Sequence, residues 1–108
     1  MSNKIVEFAG YDCEVVKQKY QSNNQQVALQ LIAANTSHNI EYGSFYGEPI
    51  ATATVCADVP CGENQTFIKN WRENEGVLEA LVKAGIVEDL NTLAPAGYEQ
   101  ANLVNLLI

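Results

Sequence analysis

The stretch Phe67-Ile68-Lys69-Asn70-Trp71-Arg72-Glu73-Asn74-Glu75-Gly76-Val77-Leu78-Glu79-Ala80-Leu81-Val82-Lys83-Ala84-Gly85-Ile86-Val87 reads as a buried strand running into one amphipathic helix. Asn74 is a good N-cap residue, and Glu75 places negative charge at the positive end of the helix dipole. Val77, Leu78, Leu81 and Val82 recur at spacings that make one apolar stripe. Gly85 stops the helix. With Gly85 at the C′ position, Ile86 falls where a Schellman ending packs an apolar residue back against Leu81. A strand feeding a single helix in a strand-rich chain predicts an α+β fold: an antiparallel β-sheet of about five to six strands with one main α-helix packed on one face.

Ile5, Val6 and Phe8 form a short run ended by Gly10, and Tyr11 to Tyr20 follows with a rough period of two, which predicts a hairpin. In the second strand Tyr11, Cys13 and Val15 share one face and Asp12, Glu14 and Val16 the other; the pattern does not choose the core side. Ser22-Asn23-Asn24 is turn chemistry. From Gln25 to Ala33 the alternation is clean, with Val27, Leu29 and Leu31 on one side and Gln26, Ala28 and Gln30 on the other, as a sheet with one wet face requires.

Residues 34 to 48 are the least regular part of the chain and read as a long aromatic-containing loop, a length that is uncommon without its own structure and is more often functional. Pro49 to Ala57 then reads as a strand with proline at its entrance. Asp58, Pro60, Gly62, Glu63 and Asn64 form the next connection, and Thr66 to Trp71 is the strand that feeds the helix. Beyond the helix, Glu88 to Gly97 reads as a turn-rich crossover because it contains Asn91, Pro95 and Gly97. The apolar residues of Tyr98 to Ile108 fit either a terminal strand or a short helix.

With 108 residues and 47% hydrophobic residues, the chain is expected to fold as a single domain, 1–108, around one core without a metal or disulfide staple. No apolar run approaches the roughly 18 residues of a membrane span, and Met-Ser-Asn-Lys leads into a strand pattern instead of a signal-peptide core. The expectation is a cytoplasmic protein. Cys13, Cys56 and Cys61 then read as free thiols. The lone His38 lies far along the chain from them, so no zinc site or other metal site is expected.

Residues 1 to 40 balance three acids with three bases. The net charge of −7 therefore falls in residues 41 to 108, where ten acids face only Lys69, Arg72 and Lys83. Phosphate contacts need clustered cations, so direct nucleic-acid binding is disfavoured and a protein partner is easier to accommodate. No catalytic constellation is visible. His38 sits in a polar stretch with no apolar run to hold a triad rigid, the acids Glu73, Glu75 and Glu79 belong to a solvated helix start, and Gly76 stands alone where a phosphate-binding turn would need several glycines. The expectation is a non-enzymatic protein without a cofactor.

The strand-to-helix stretch quoted above, together with Val27-Ala28-Leu29-Gln30-Leu31-Ile32 and Gly47-Glu48-Pro49-Ile50-Ala51-Thr52-Ala53-Thr54-Val55, resembles a small family of uncharacterised proteins carried by phages, plasmids and conjugative elements of bacteria. The resemblance covers most of the chain and favours a strand at its end. The stretch between Ala34 and Gly47 is longer than the short turn of that family. The family brings no catalytic residues; it implies a genomic setting. Small acidic proteins of that setting often bind a host protein, and blocking a nucleic-acid-guided defence nuclease, as anti-CRISPR proteins do, is one such action. The expected partner-binding residues are Tyr42, Phe45 and Tyr46 of the loop, with Trp71, Arg72, Glu73, Glu75 and Glu79 at the strand-to-helix corner, where Trp and Arg are common hot-spot residues. The alternatives are a self-assembling or partner-binding module of a mobile element, including a homodimer, and a small-ligand or nucleotide binder with a pocket lined by Tyr11, Tyr20 and Trp71.

Overall fold

The fold begins with the expected hairpin. In the computed structural model, which describes residues 4–20, 26–57 and 59–108, strands β1 (Val6–Phe8) and β2 (Tyr11–Lys19) pair antiparallel with Phe8 opposite Tyr11. The two-residue turn between them, Ala9-Gly10, has positive φ at both positions (55° and 85°), the geometry whose twist matches the flanking strands. Strand β3 (Val27–Ala33) pairs along β2 from Lys19↔Val27 to Cys13↔Ala33. Its alternation is as expected from Val27 on, with Val27, Leu29, Leu31 and Ala33 buried and Ala28, Gln30 and Ile32 only half-buried, but Gln26, expected on the wet face, is buried because its amide bonds to backbone groups of Ala57 and Val59. Burial of Cys13 settles which face of β2 meets the core. The expected Ser22-Asn23-Asn24 turn lies outside the described residues.

The strand expected over Pro49 to Ala57 is shorter. As β4 (Pro49–Thr52) it pairs with β3 and completes a four-stranded sheet in the order β1-β2-β3-β4. Side chains then take over from the backbone ladder: the Thr54 hydroxyl accepts the Leu29 N–H (3.1 Å), and the Gln26 amide accepts from Ala57 N (3.0 Å) and donates to Val59 O (2.8 Å). These bonds turn the chain away from β3 and bring Thr54 beside Ile68 of β5 (Gln65–Ile68). A second, three-stranded antiparallel sheet starts there, with β5 at one edge.

Two expectations change at this sheet. Strand β6 (Val87–Ala96) occupies the segment read as a turn-rich crossover. Pro95 is tolerated because β6 is an edge strand, and Asn91, at φ 54°, sits where the register slips between Asp89 and Thr92. The strand that the resemblance favours at the chain's end is present as β7 (Glu99–Leu106), and it lies between β5 and β6. The architecture is therefore α+β and antiparallel, with seven strands in two sheets among the described residues instead of five to six in one.

Helix α2 (Val77–Lys83) packs against β1 and β6. Val77, Leu78 and Leu81 join Val6, Cys13, Leu29, Leu31, Ile68, Ile86 and Val104 in the main core. Val82, expected in the stripe, lies roughly a quarter turn from its centre at 3.6 residues per turn and is exposed. The start of the helix is also corrected. Gly76, at φ 93°, holds the N-cap position, and the capping oxygen is Asn70 Oδ1, which accepts from Gly76 N (3.1 Å) and Leu78 N (3.2 Å). Asn74 is buried in a short 3-10 turn and donates from Nδ2 to Thr52 O instead (2.6 Å). The helix ends as expected: Gly85 N donates to Val82 O, Ile86 N donates to Leu81 O, and Gly85 has φ 74°. No helix among the described residues is long and apolar enough to cross a membrane.

Candidate interaction surface

The segment expected to be a loop carries a short helix, α1 (Ser37–Glu41). Thr36 caps it, its hydroxyl oxygen accepting from Asn39 N (3.2 Å) while its hydroxyl hydrogen goes to Asp12 Oδ2 (2.9 Å). Asn39 is fully buried and fastens the helix to the first sheet. Asp12 N donates to Asn39 Oδ1 (2.9 Å), and Asn39 Nδ2 donates to Asp12 O (2.7 Å) and Ala34 O (2.9 Å). A side-chain amide thus continues the β2–β3 ladder one step past Cys13↔Ala33. His38 Nε2 is 2.8 Å from Gly10 O, and the Tyr42 ring meets both His38 and Tyr11 edge-on at centroid distances of 4.7 and 6.4 Å.

Four large apolar side chains of this segment are exposed. Ile40 (51% exposed), Tyr42 (67%), Phe45 (62%) and Tyr46 (61%) lie within seven residues of one another in sequence. Their backbone is held from behind. Ser44 N donates to Asn39 O (2.9 Å), Phe45 N to Glu48 Oε1 (3.0 Å) and Gly47 N to Ala33 O (2.9 Å). Buried Ser44 Oγ has no hydrogen-bond partner among the described residues.

The strand-to-helix corner divides differently from the expectation. Trp71 is half-buried and packs with Val55, Val59, Cys61 and Leu103 on a second apolar cluster formed by Ala57, Phe67, Ala94, Ala96 and Ala101. It therefore contributes to the fold more than to a surface. Arg72 is exposed at φ 55° and, among the described residues, pairs with neither Glu75 nor Glu79. The ion pair here is Lys69 Nζ to Glu73 Oε1, at 2.6 Å, and that hydrogen bond holds the Glu73 carboxyl below its usual range. Glu75 and Glu79 are exposed.

Two open hollows adjoin the β1–β2 turn and share Phe8 and Ala9. One, of about 570 Å³, is walled by Ile50, Val55, Tyr20 and Cys56 and reaches Lys69 and Glu73. The other, of about 380 Å³, lies among Glu7, Tyr11, Asp12, His38 and Tyr42. The hollows thus place Tyr42 and Glu73 on either flank of the same turn, while Trp71 borders neither. The pocket expected between Tyr11, Tyr20 and Trp71 is not formed as one site: Tyr11 and Tyr20 belong to different hollows.

The sequence reading passed over Asn39, Glu7, Asp12 and Ile40. The available signal was Thr36 three residues before Asn39, a helix start in an otherwise polar run. Among the described residues no group of three His, Cys, Asp or Glu side chains is placed to hold a metal. Among the described residues no disulfide joins Cys13, Cys56 or Cys61; burial pushes Cys13 from 9.0 up to about 11, with the Asp12 charge adding to the shift, and burial also raises Cys61. Comparison of the chain with protein-family models, curated proteins and solved structures gives no match.

Proposed function

We propose that this protein acts by binding another protein, not by catalysis, and that the segment from α1 to β4 is the contact surface. The supporting observation is that four large apolar side chains close in sequence, Ile40, Tyr42, Phe45 and Tyr46, are exposed on a backbone fastened to the first sheet by buried Asn39. Aromatic residues on an ordered backbone give up little conformational entropy on docking. The partner in this reading is a host defence complex of the nucleic-acid-guided nuclease kind, bound in an anti-CRISPR-like manner. The resemblance to proteins of mobile elements and the acidic half of the chain support it, since an acidic face complements a surface built for phosphates.

The test is affinity capture from bacterial lysate, with nuclease treatment, followed by mass spectrometry. Capture of a nuclease-resistant complex that is lost with Phe45→Ala/Tyr46→Ala supports the reading. Capture that survives the double substitution refutes the surface, and recovery of this protein alone, with sedimentation showing a dimer, supports the self-assembly alternative. The larger hollow favours a second reading, a small-ligand binder; a thermal shift with any nucleotide or metabolite in a screen would support it.

A further inference from the structure

The hollow beside α1 combines features that the contact-surface reading does not use. Glu7 and Asp12 stand directly opposite each other across β1 and β2, so two carboxylates of like charge form one cross-strand pair. Such pairs are unfavourable unless something between them carries the opposite charge. Among the described residues no lysine or arginine lines this hollow; Lys83 shares only a neighbouring hollow with Glu7 and makes no ion pair with it. Asp12 has one oxygen engaged by the Thr36 hydroxyl, and Glu7 is exposed at the rim. Around the carboxylates stand aromatic rings at steep angles to one another, Tyr42 at 65° to Tyr11 and 72° to His38. His38 directs Nε2 to Gly10 O. Ring faces attract cations through their quadrupole, and carboxylates attract them by charge.

We propose that this hollow receives one arginine side chain of the protein partner, its guanidinium between Glu7 and Asp12 and its plane against Tyr42. This deepens the contact-surface reading and rests on it for the protein source of the cation. A guanidinium fits better than an ammonium because its planar fork addresses two carboxylates at once and also stacks on rings. The hollow, of about 380 Å³, has room for an arginine side chain. The site also assigns the partner a chemistry: a basic residue at the edge of an apolar patch that covers Phe45 and Tyr46.

The test is an amide NMR titration of the protein with a short acetylated, amidated peptide Gly-Ser-Arg-Gly-Ser, alongside the same peptide with citrulline, which keeps the shape and removes the charge. The expected result is shifts confined to residues 7–12 and 38–42, saturating in the millimolar range, with citrulline about tenfold weaker. Glu7→Gln and Tyr42→Ala should each weaken arginine binding severalfold, and Glu7→Gln lies on a surface strand position where folding is not at risk. Equal shifts for arginine and citrulline, or shifts elsewhere on the protein, would overturn the site. Tighter binding of tetramethylammonium than of the arginine peptide would also overturn it, in favour of a small quaternary amine. The two proposals fail separately. If the peptide does not bind but Phe45→Ala/Tyr46→Ala still abolishes capture, the contact surface stands and the arginine site does not; the converse pair of results removes the contact surface.

Discussion

Replacing Asn39 by alanine should show how the exposed aromatic segment is held. The Asn39 side chain is fully buried and makes three hydrogen bonds to backbone atoms of Asp12 and Ala34. Asp12 O and Ala34 O would each keep another donor, Ala34 N and Thr36 N respectively, so their losses are modest. Asp12 N–H would be left with none. One orphaned buried donor at about 1–3 kcal/mol and two weakened acceptors at about 0.5 kcal/mol each give a destabilisation of about 3 kcal/mol. For a chain of this length that is a fall in Tm of roughly 15 °C. Asn39→Asp should be at least as damaging, because the carboxylate keeps only the Asp12 N–H bond and turns a charge toward two carbonyl oxygens. Urea and thermal unfolding followed by circular dichroism would measure both. A loss below about 0.5 kcal/mol, the range of an ordinary surface substitution, would refute the claim that Asn39 anchors α1.

Three further outcomes follow from the same contacts. Gly85→Ala places a side chain at φ 74°, with its Cβ 3.1 Å from Lys4 Nζ, and should cost about 1–2 kcal/mol in urea unfolding; no change would mean the helix end is not the left-handed turn described. Ser44→Ala removes a buried hydroxyl without a partner and should raise stability by about 1 kcal/mol; a loss of that size would reveal a bond to that hydroxyl. Cys13 has its thiol raised from 9.0 to about 11, so its contribution is fully present below pH 9 and is lost as the pH climbs through about 11; the wild type should lose stability over that window more steeply than Cys13→Ala, and parallel curves would contradict the assignment.

Elements whose signals are local could be read from the sequence. The alternation of Val27, Leu29 and Leu31 needs only a wet and a dry face, and the Gly85-Ile86 helix ending needs only four residues. Features that depend on distant partners were hidden. Helix α1 is five residues long, too short for a periodic stripe, and exists because Asn39 reaches Asp12, 27 positions away. The cap of α2 comes from Asn70, six and eight residues before the groups it satisfies, so the nearer Asn74 was the natural choice and the wrong one. Strand β6 was masked by Asn91 and Pro95, which mark turns unless the strand is an edge strand with a register slip. At the candidate surface, Tyr42, Phe45 and Tyr46 were legible as aromatics outside any apolar pattern. Trp71 was not, because its packing on the cluster of Ala57, Phe67, Ala94, Ala96 and Ala101 requires the second sheet.

The most direct measurement is hydrogen exchange of this protein alone and in complex with the partner that affinity capture isolates. The account predicts new protection concentrated in residues 37–48, with a smaller effect at the Ala9-Gly10 turn. Protection confined to the β6–β7 hairpin, where Leu93 and Tyr98 are exposed, with residues 37–48 exchanging as in the free protein, would contradict it.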